Sequence, residues 1–350
     1  MLRESEFYCP ECDDGSEATN IESRRQFMRK SFGVGAAAIV GVNALSTRLL
    51  AQETKAARPA GPAEDLVREL YSGLSADQKK ELVYAWDYAP RAGATPSRLA
   101  TYNAPAFGKR LGESYTKPQQ DLVRRTLRAT LASDESLERI SRDGKWDSSG
   151  SFEGCGAVIF GDPTSGEKFT WLFAGHHLTL RCDGNSEPGA AFGGPLYYGH
   201  SANGYADTNA YVYQTNKVHE VFDALDADQR KAAVTDKNPG DGQPAIRFRP
   251  EDEPRPGVAY SDLKADQQKL VGEVMRTLIS PFRKEDADEV MALIKVNGGM
   301  EKIHLAFFRE GEQIEGRQRW TCWRLEGPGF VWNYRVLPHV HCFVRINTVA

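Results

Sequence analysis

The chain has 350 residues, with 44 Lys+Arg against 48 Asp+Glu, 40% apolar residues and 26% charged residues. That is ordinary globular composition, and it excludes collagen-like, coiled-coil and largely disordered chains. The net charge of −4 provides no basic field for nucleic acid, six Cys do not make a disulfide scaffold in this length, and no apolar run suits a stable membrane anchor.

Residues 1–51 read as an export leader. Ser23-Arg24-Arg25-Gln26-Phe27-Met28 has the form of a twin-arginine signal. A small-residue apolar stretch follows over residues 32–45, and Leu49-Leu50-Ala51 suits cleavage. The expected destination is the periplasm or the exterior, and the expected partner is the twin-arginine export machinery. That route carries folded chains, for which a cofactor loaded before export is a common reason. Cys9-Pro10-Glu11-Cys12 has zinc-knuckle spacing, but it has no second pair and lies within the leader. The other four cysteines, Cys155, Cys182, Cys322 and Cys342, suit either disulfides in an oxidising compartment or buried thiols.

Residues 52–65 form a Pro/Ala/Gly linker, beyond which one pattern occurs twice. Leu74-Ser75-Ala76-Asp77-Gln78 returns as Leu225-Asp226-Ala227-Asp228-Gln229, and both fit a capping box at a helix start. Gln119-Gln120-Asp121-Leu122-Val123 returns as Gln267-Gln268-Lys269-Leu270-Val271, within a helical stripe. A third helix is expected near 134–142 and again over 284–296. Strands should close each half: 157–160 and 169–182 in the first, then 302–308, 317–325, 329–336 and 339–346 in the second. Trp171 lines up with Trp320 or Trp323. The expected fold is therefore α+β. A helices-then-antiparallel-strands unit is duplicated in tandem, over 66–216 and 217–350, and forms one pseudo-symmetric domain. Residues 183–216 look like a loop inserted in the first unit.

The candidate chemistry lies in two histidine clusters. In Gly175-His176-His177-Leu178-Thr179-Leu180-Arg181, strand alternation puts His177, Thr179 and Arg181 on a polar face and His176 on an apolar one. In Pro338-His339-Val340-His341-Cys342-Phe343-Val344-Arg345, the spacing of two puts His339, His341 and Arg345 on one face. Two imidazoles side by side on a strand suit zinc, copper or iron, and His177 would complete a three-histidine site. His176 or His200 is the candidate fourth ligand. Arg181 and Arg345 could clamp a small anionic substrate, and Tyr197 and Tyr198 could line its pocket. The competing reading of every one of these residues is structural: hydrogen-bonded histidines, surface ion pairs and core aromatics. Of the nearby carboxylates, Glu153, Asp183 and Glu326 are closest in sequence. His219 and His304 read as structural. No nucleophile elbow, HExxH, P-loop or dinucleotide fingerprint is present.

Trp171-Leu172-Phe173-Ala174-Gly175-His176-His177-Leu178, Gly193-Gly194-Pro195-Leu196-Tyr197-Tyr198-Gly199 and His339-Val340-His341-Cys342-Phe343-Val344-Arg345 resemble an uncharacterised exported family. It is the domain-of-unknown-function family numbered thirty-five hundred. The resemblance runs from about residue 66 to 346 and implies that the two histidine motifs belong together. It implies no reaction. Members carry a Glu near the position of Asn333, which departs from that pattern here. The expected function is a metal-dependent hydrolase or oxidoreductase, with a non-catalytic ligand-binding module as the alternative.

Overall fold

The computed structural model describes residues 62–236, 238–309 and 320–349; the leader and its CxxC pair lie outside them. The first half runs through helices α1 (Pro62–Ser72) and α2 (Ala76–Leu82), the short strand β1 (Val83–Tyr84), and helices α3 (Leu111–Ser114), α4 (Lys117–Ala129) and α5 (Asp134–Ser141). Strands β2 (Gly156–Gly161), β3 (Phe169–Gly175), β4 (Leu178–Cys182) and β5 (Leu196–His200) follow. The second half has α6 (Val212–Ala224), α7 (Ala227–Ala233), β6 (Val234–Thr235), β7 (Val258–Ala259), α8 (Ala265–Ile279) and α9 (Lys284–Val296). It ends in β8 (His304–Phe308), β9 (Cys322–Gly327), β10 (Phe330–Arg335) and β11 (Val340–Ile346).

Among the described residues, eleven strands join one mixed sheet, in the order β1-β2-β3-β4-β5-β11-β10-β9-β8-β6, with β7 paired to β8. The fold class is α+β, as the sequence implies. Read from either edge, the order begins with a two-residue strand parallel to its neighbour and continues through antiparallel pairs to the centre. The halves meet where β5 pairs antiparallel with β11. Helix starts match as well. Ser75 and Gln78 form a capping box, as do Asp226 and Gln229. Gln78 then hydrogen-bonds Gln119 at 2.8 Å, and Gln229 bonds Gln267 at 2.7 Å. Trp171 pairs with Ile159 and Cys182; Trp323 pairs with Phe307 and Tyr334. Trp323, rather than Trp320, therefore occupies the position of Trp171.

The main core lies on the helical face of the sheet, where Trp171, Tyr198, Trp323, Trp332, Tyr334 and Cys342 are fully buried with the apolar stripes of α1, α4, α6 and α8. Loops cover the other face through smaller clusters, one around Tyr102 and Phe160, another around Tyr197, Ile246 and Phe343. The four described cysteines are buried thiols, and none of them is in a disulfide.

Two expectations are corrected. The run 169–182 is not one strand: Gly175 pairs with Leu178, so His176 and His177 are the two turn residues of a hairpin. Residues 183–216 are not a plain inserted loop. They contain β5, the strand on which the second half docks, and the start of α6. The Gly-rich flanks of Leu196–His200 conceal a strand whose tyrosines face opposite layers. Helix α6 also runs across the expected boundary at residue 216.

Candidate metal centre

The β3–β4 hairpin places His177. A two-residue turn needs a left-handed residue, and His177 adopts φ 56° there. The equivalent turn of the second half, between Gly327 and Phe330, puts Gly329 at φ 67° in the same place. Its backbone role is the same too: Gly199 N–H donates to the His177 carbonyl at 3.0 Å, and Asn347 N–H donates to the Gly329 carbonyl at 2.8 Å. A non-glycine residue in this region carries strain, which makes it a place to look for function. Asn103 holds the turn by accepting the His177 N–H at 2.7 Å.

Strand β11 places the other two imidazoles. His341 pairs with Arg335 of β10 and Gly199 of β5, and His339 sits two residues earlier, just before the strand. Alternation brings both rings to the loop-covered face, as their spacing implies. Gly199 allows the approach: a Cβ there would lie 2.2 Å from the Val340 carbonyl oxygen.

The three rings converge through one nitrogen each. His339 Nε2 lies 3.1 Å from His177 Nε2 and 3.0 Å from His341 Nε2. All three residues are buried, at 0, 2 and 0% exposure. Two nitrogens bound to one zinc ion at about 2.0–2.1 Å would be roughly 2.9 Å apart at a right angle and about 3.4 Å apart at the tetrahedral angle. The observed separations fall between these values. Hydrogen bonding alone fits less well. His177 Nδ1 lies 2.7 Å from Asp147 Oδ2. A carboxylate accepts, so Nδ1 carries the proton and the neutral ring turns its Nε2 lone pair inward. The Nδ1 of His341 faces Asp241 Oδ2 at 3.5 Å, an ion-pair distance without a hydrogen bond between them, and the negative charge there favours the same tautomer. A proton on His339 Nε2 can lie along one of the two contacts, whereas a cation between the nitrogens satisfies all three rings. The residues present fit a three-histidine ion site.

Electrostatics favour the same state. Burial, first, pushes the His177 and His341 pKa values well below the usual histidine range, with like charge from neighbouring histidines and Arg335 adding to it. Both rings are thus neutral donors at neutral pH. Burial would raise the Asp147 pKa, but the Arg142 charge and the His177 bond override it and hold the carboxyl ionised, far below the ordinary range. Arg142 Nε lies 3.3 Å from Asp147 Oδ2. Asp241 forms an ion pair with Arg335, while burial raises its pKa.

The remaining candidates are distributed as follows. The His176 ring lies 3.8 Å from that of His177, tilted by 42°, and its Nδ1 accepts the Ser148 N–H at 3.2 Å. With Asp147 and His177 it makes a second group of close donor atoms among the described residues, sharing His177 with the three-histidine group. His200 Nδ1 accepts the Ala210 N–H at 2.9 Å, and its Nε2 lies 3.9 Å from Asp147, so it borders the carboxylate. Tyr197 packs edge-on against His341 at 5.5 Å and donates to Asn103 Oδ1. Tyr198 points into the helical core and donates to Gln214 at 2.9 Å. Arg181 is buried, and its guanidinium donates to the carbonyls of Arg98, Pro195 and Ala100. Arg345 lies over Phe248 at 4.3 Å and donates to the Ile246 carbonyl. Thus Tyr197 joins the histidines, whereas Arg181, Arg345 and Tyr198 hold loops and core. Glu153 pairs with Lys117, Asp183 caps a turn at Asn185 and Glu187, and Glu326 pairs with Arg249 and Arg324. Asn333 accepts from Arg324 at 3.2 Å.

Sequence reasoning missed Asp147 and Asp241. Asp147 follows Trp146 in a left-handed pair, φ 57° and 44°, that no spacing rule detects. Asp241 lies within Asn238-Pro239-Gly240-Asp241-Gly242, a turn-rich segment whose signal is only that of a loop.

A family model described as a protein of unknown function (DUF3500) matches residues 53–349, so the chain belongs to that family. No curated protein and no solved structure matches the chain.

Proposed function

Starting from a family with no assigned reaction, we propose that this member is an exported metalloprotein. In this reading the Nε2 atoms of His177, His339 and His341 hold a divalent transition ion, zinc being the simplest choice, and the centre acts in hydrolysis of a small anionic substrate. The single observation that carries this reading is the approach of the buried His339 Nε2 to His177 Nε2 at 3.1 Å and to His341 Nε2 at 3.0 Å. A transition ion with three protein ligands and an open position supplies Lewis-acid chemistry, polarising water or a carbonyl. The chain's residues supply the rest. Three neutral imidazoles leave the ion's charge undiminished, and each nearby carboxylate is already matched by an arginine, Asp147 by Arg142 and Asp241 by Arg335. A centre of that charge favours an anionic ligand. The ligand set also argues against electron transfer through a copper–thiolate bond, because Cys342 faces the helical core. A second reading, an ion that ties the two halves together structurally, is favoured by the near-complete burial of the three rings.

The test is restoration. Metal-free protein should hydrolyse an activated ester such as p-nitrophenyl acetate at the buffer rate, and one equivalent of zinc should raise that rate at least tenfold. The His339→Ala variant should not respond. Zinc that binds tightly without changing the rate would support the structural reading instead.

Two further parts of the proposal concern origin and location. The halves arose by tandem duplication; support comes from the sheet order, the matching Gln pairs and the equivalent hairpins. The protein leaves the cytoplasm by the twin-arginine route; support comes from Ser23-Arg24-Arg25-Gln26-Phe27, and no described helix is long and apolar enough to cross a membrane. Changing Arg24 and Arg25 to Lys should retain the chain in the cytoplasm, as read by fractionation. Export that continues unchanged would refute the route.

A further inference from the structure

We propose that Asp147 and Asp241 are positioning residues of the centre: each is anchored by an arginine, keeps the proton of one imidazole on Nδ1, and so presents that ring's Nε2 to the ion. The proposal rests on the metal reading above and deepens it. Two relays make the case. Arg142–Asp147–His177 comes wholly from the first half, with steps of 3.3 and 2.7 Å. Arg335–Asp241–His341 comes wholly from the second, through an ion pair and a 3.5 Å approach. Each arginine is tied down in turn. Arg142 donates to the His176 carbonyl at 2.7 Å, beside the ring it serves through Asp147. Arg335 donates to the His339 carbonyl at 3.2 Å. Each relay therefore fixes one ligand ring and also holds the backbone of a neighbouring histidine.

The physical consequence is a choice of tautomer. A neutral imidazole has one N–H and one lone pair, and only the lone pair can bind an ion. A carboxylate at Nδ1 can only accept, so it draws the proton there and raises the donor strength of Nε2. An amide in its place can donate to Nδ1 and push the proton to Nε2, which blocks ligation. The relays are unequal. Asp147 is at hydrogen-bond distance and well buried, whereas Asp241 is half-buried and farther away. The first-half relay should therefore be the stronger.

Two measurements test this. In metal-free wild-type protein with 15N-labelled histidine, His177 and His341 should show the Nδ1–H tautomer. In competition against a chromophoric chelator, Asp147→Asn should bind zinc about 10–100-fold more weakly than wild type, as outer-sphere partners of metal-bound histidines generally do. Asp241→Asn should lose less. Should Asp147→Asn fail to fold, the wild-type tautomer and Asp241→Asn, at a half-buried loop position, still decide the matter. An Nε2–H tautomer at His177, or zinc held within twofold of wild type by both folded variants, would overturn the inference and leave the metal reading standing. A wild type that binds no zinc would overturn the metal reading itself.

Discussion

The two ends of the central seam are built alike and equipped differently. At one end the β3–β4 hairpin turns through His176-His177; at the other the corresponding β9–β10 hairpin turns through Pro328-Gly329. Both turns need a left-handed second residue, and both carbonyls accept the same backbone bond. Only one end spends that conformation on an imidazole. There, His339, His341, Asp147 and Asp241 gather around it. At the other end a Cβ on Gly329 would lie 2.3 Å from the Asn347 carbonyl oxygen. The scaffold is thus shared, and the two turns differ in the side chains they carry. That the strained choice, histidine at φ 56°, coincides with the histidine cluster is the best local reason to regard the cluster as functional.

Four changes would break or sharpen this comparison, taken here from the largest expected effect to the smallest. Replacing both His339 and His341 by Ala should weaken zinc binding at least a thousandfold, about 4 kcal/mol, as read by chelator competition. Retained affinity would separate the histidine end from any ion. The far end has its own buried acid in Asp183. Burial there raises its pKa to about 6, against the backbone N–H bonds from Asn185 and Glu187. Between the unfolded value near 3.9 and the folded value, the native state binds more protons, so stability should fall as pH rises through that window, by about 2–3 kcal/mol at most. Urea unfolding from pH 4 to pH 6.5 should show this fall, and Asp183→Asn should flatten it. An unchanged slope in the variant would assign the pH dependence elsewhere.

Gly329→Ala should cost roughly 1–3 kcal/mol, through both the left-handed backbone and the close carbonyl. A neutral result would mean that the second turn relaxes freely and that glycine is no requirement there. The smallest effect concerns the halves as a whole. Gln78→Ala and Gln229→Ala each remove a capping-box acceptor and a Gln–Gln bond, so each should cost about 1 kcal/mol. Costs differing by more than about 1 kcal/mol would show that the matched elements are not energetically matched.

What the sequence discloses follows the range of each interaction. The capping boxes and the alternation of His339 and His341 are decided within a few residues, so they can be read directly. The His176-His177 turn is hidden because neither turn residue is Gly or Asn, so the apolar runs before and after it read as one strand. Leu196–His200 is hidden for the opposite reason: it is short, and its glycines suggest a loop, yet it becomes central by pairing with β4 and β11. Arg181 has the charge of a ligand clamp, but burial against three carbonyls is a long-range outcome. Asp147 and Asp241 reach the histidines only because loops from opposite halves fold over the sheet ends, and no local pattern records that.

The most direct test of the central claim is the metal content of the protein purified without a histidine tag after native export, beside the His339→Ala/His341→Ala variant. The account requires about one equivalent of a transition metal in the wild type and next to none in the variant. A wild type without metal, which also takes up no zinc, copper or iron when these are added, would contradict it and leave the three imidazoles as a hydrogen-bonded element of the fold.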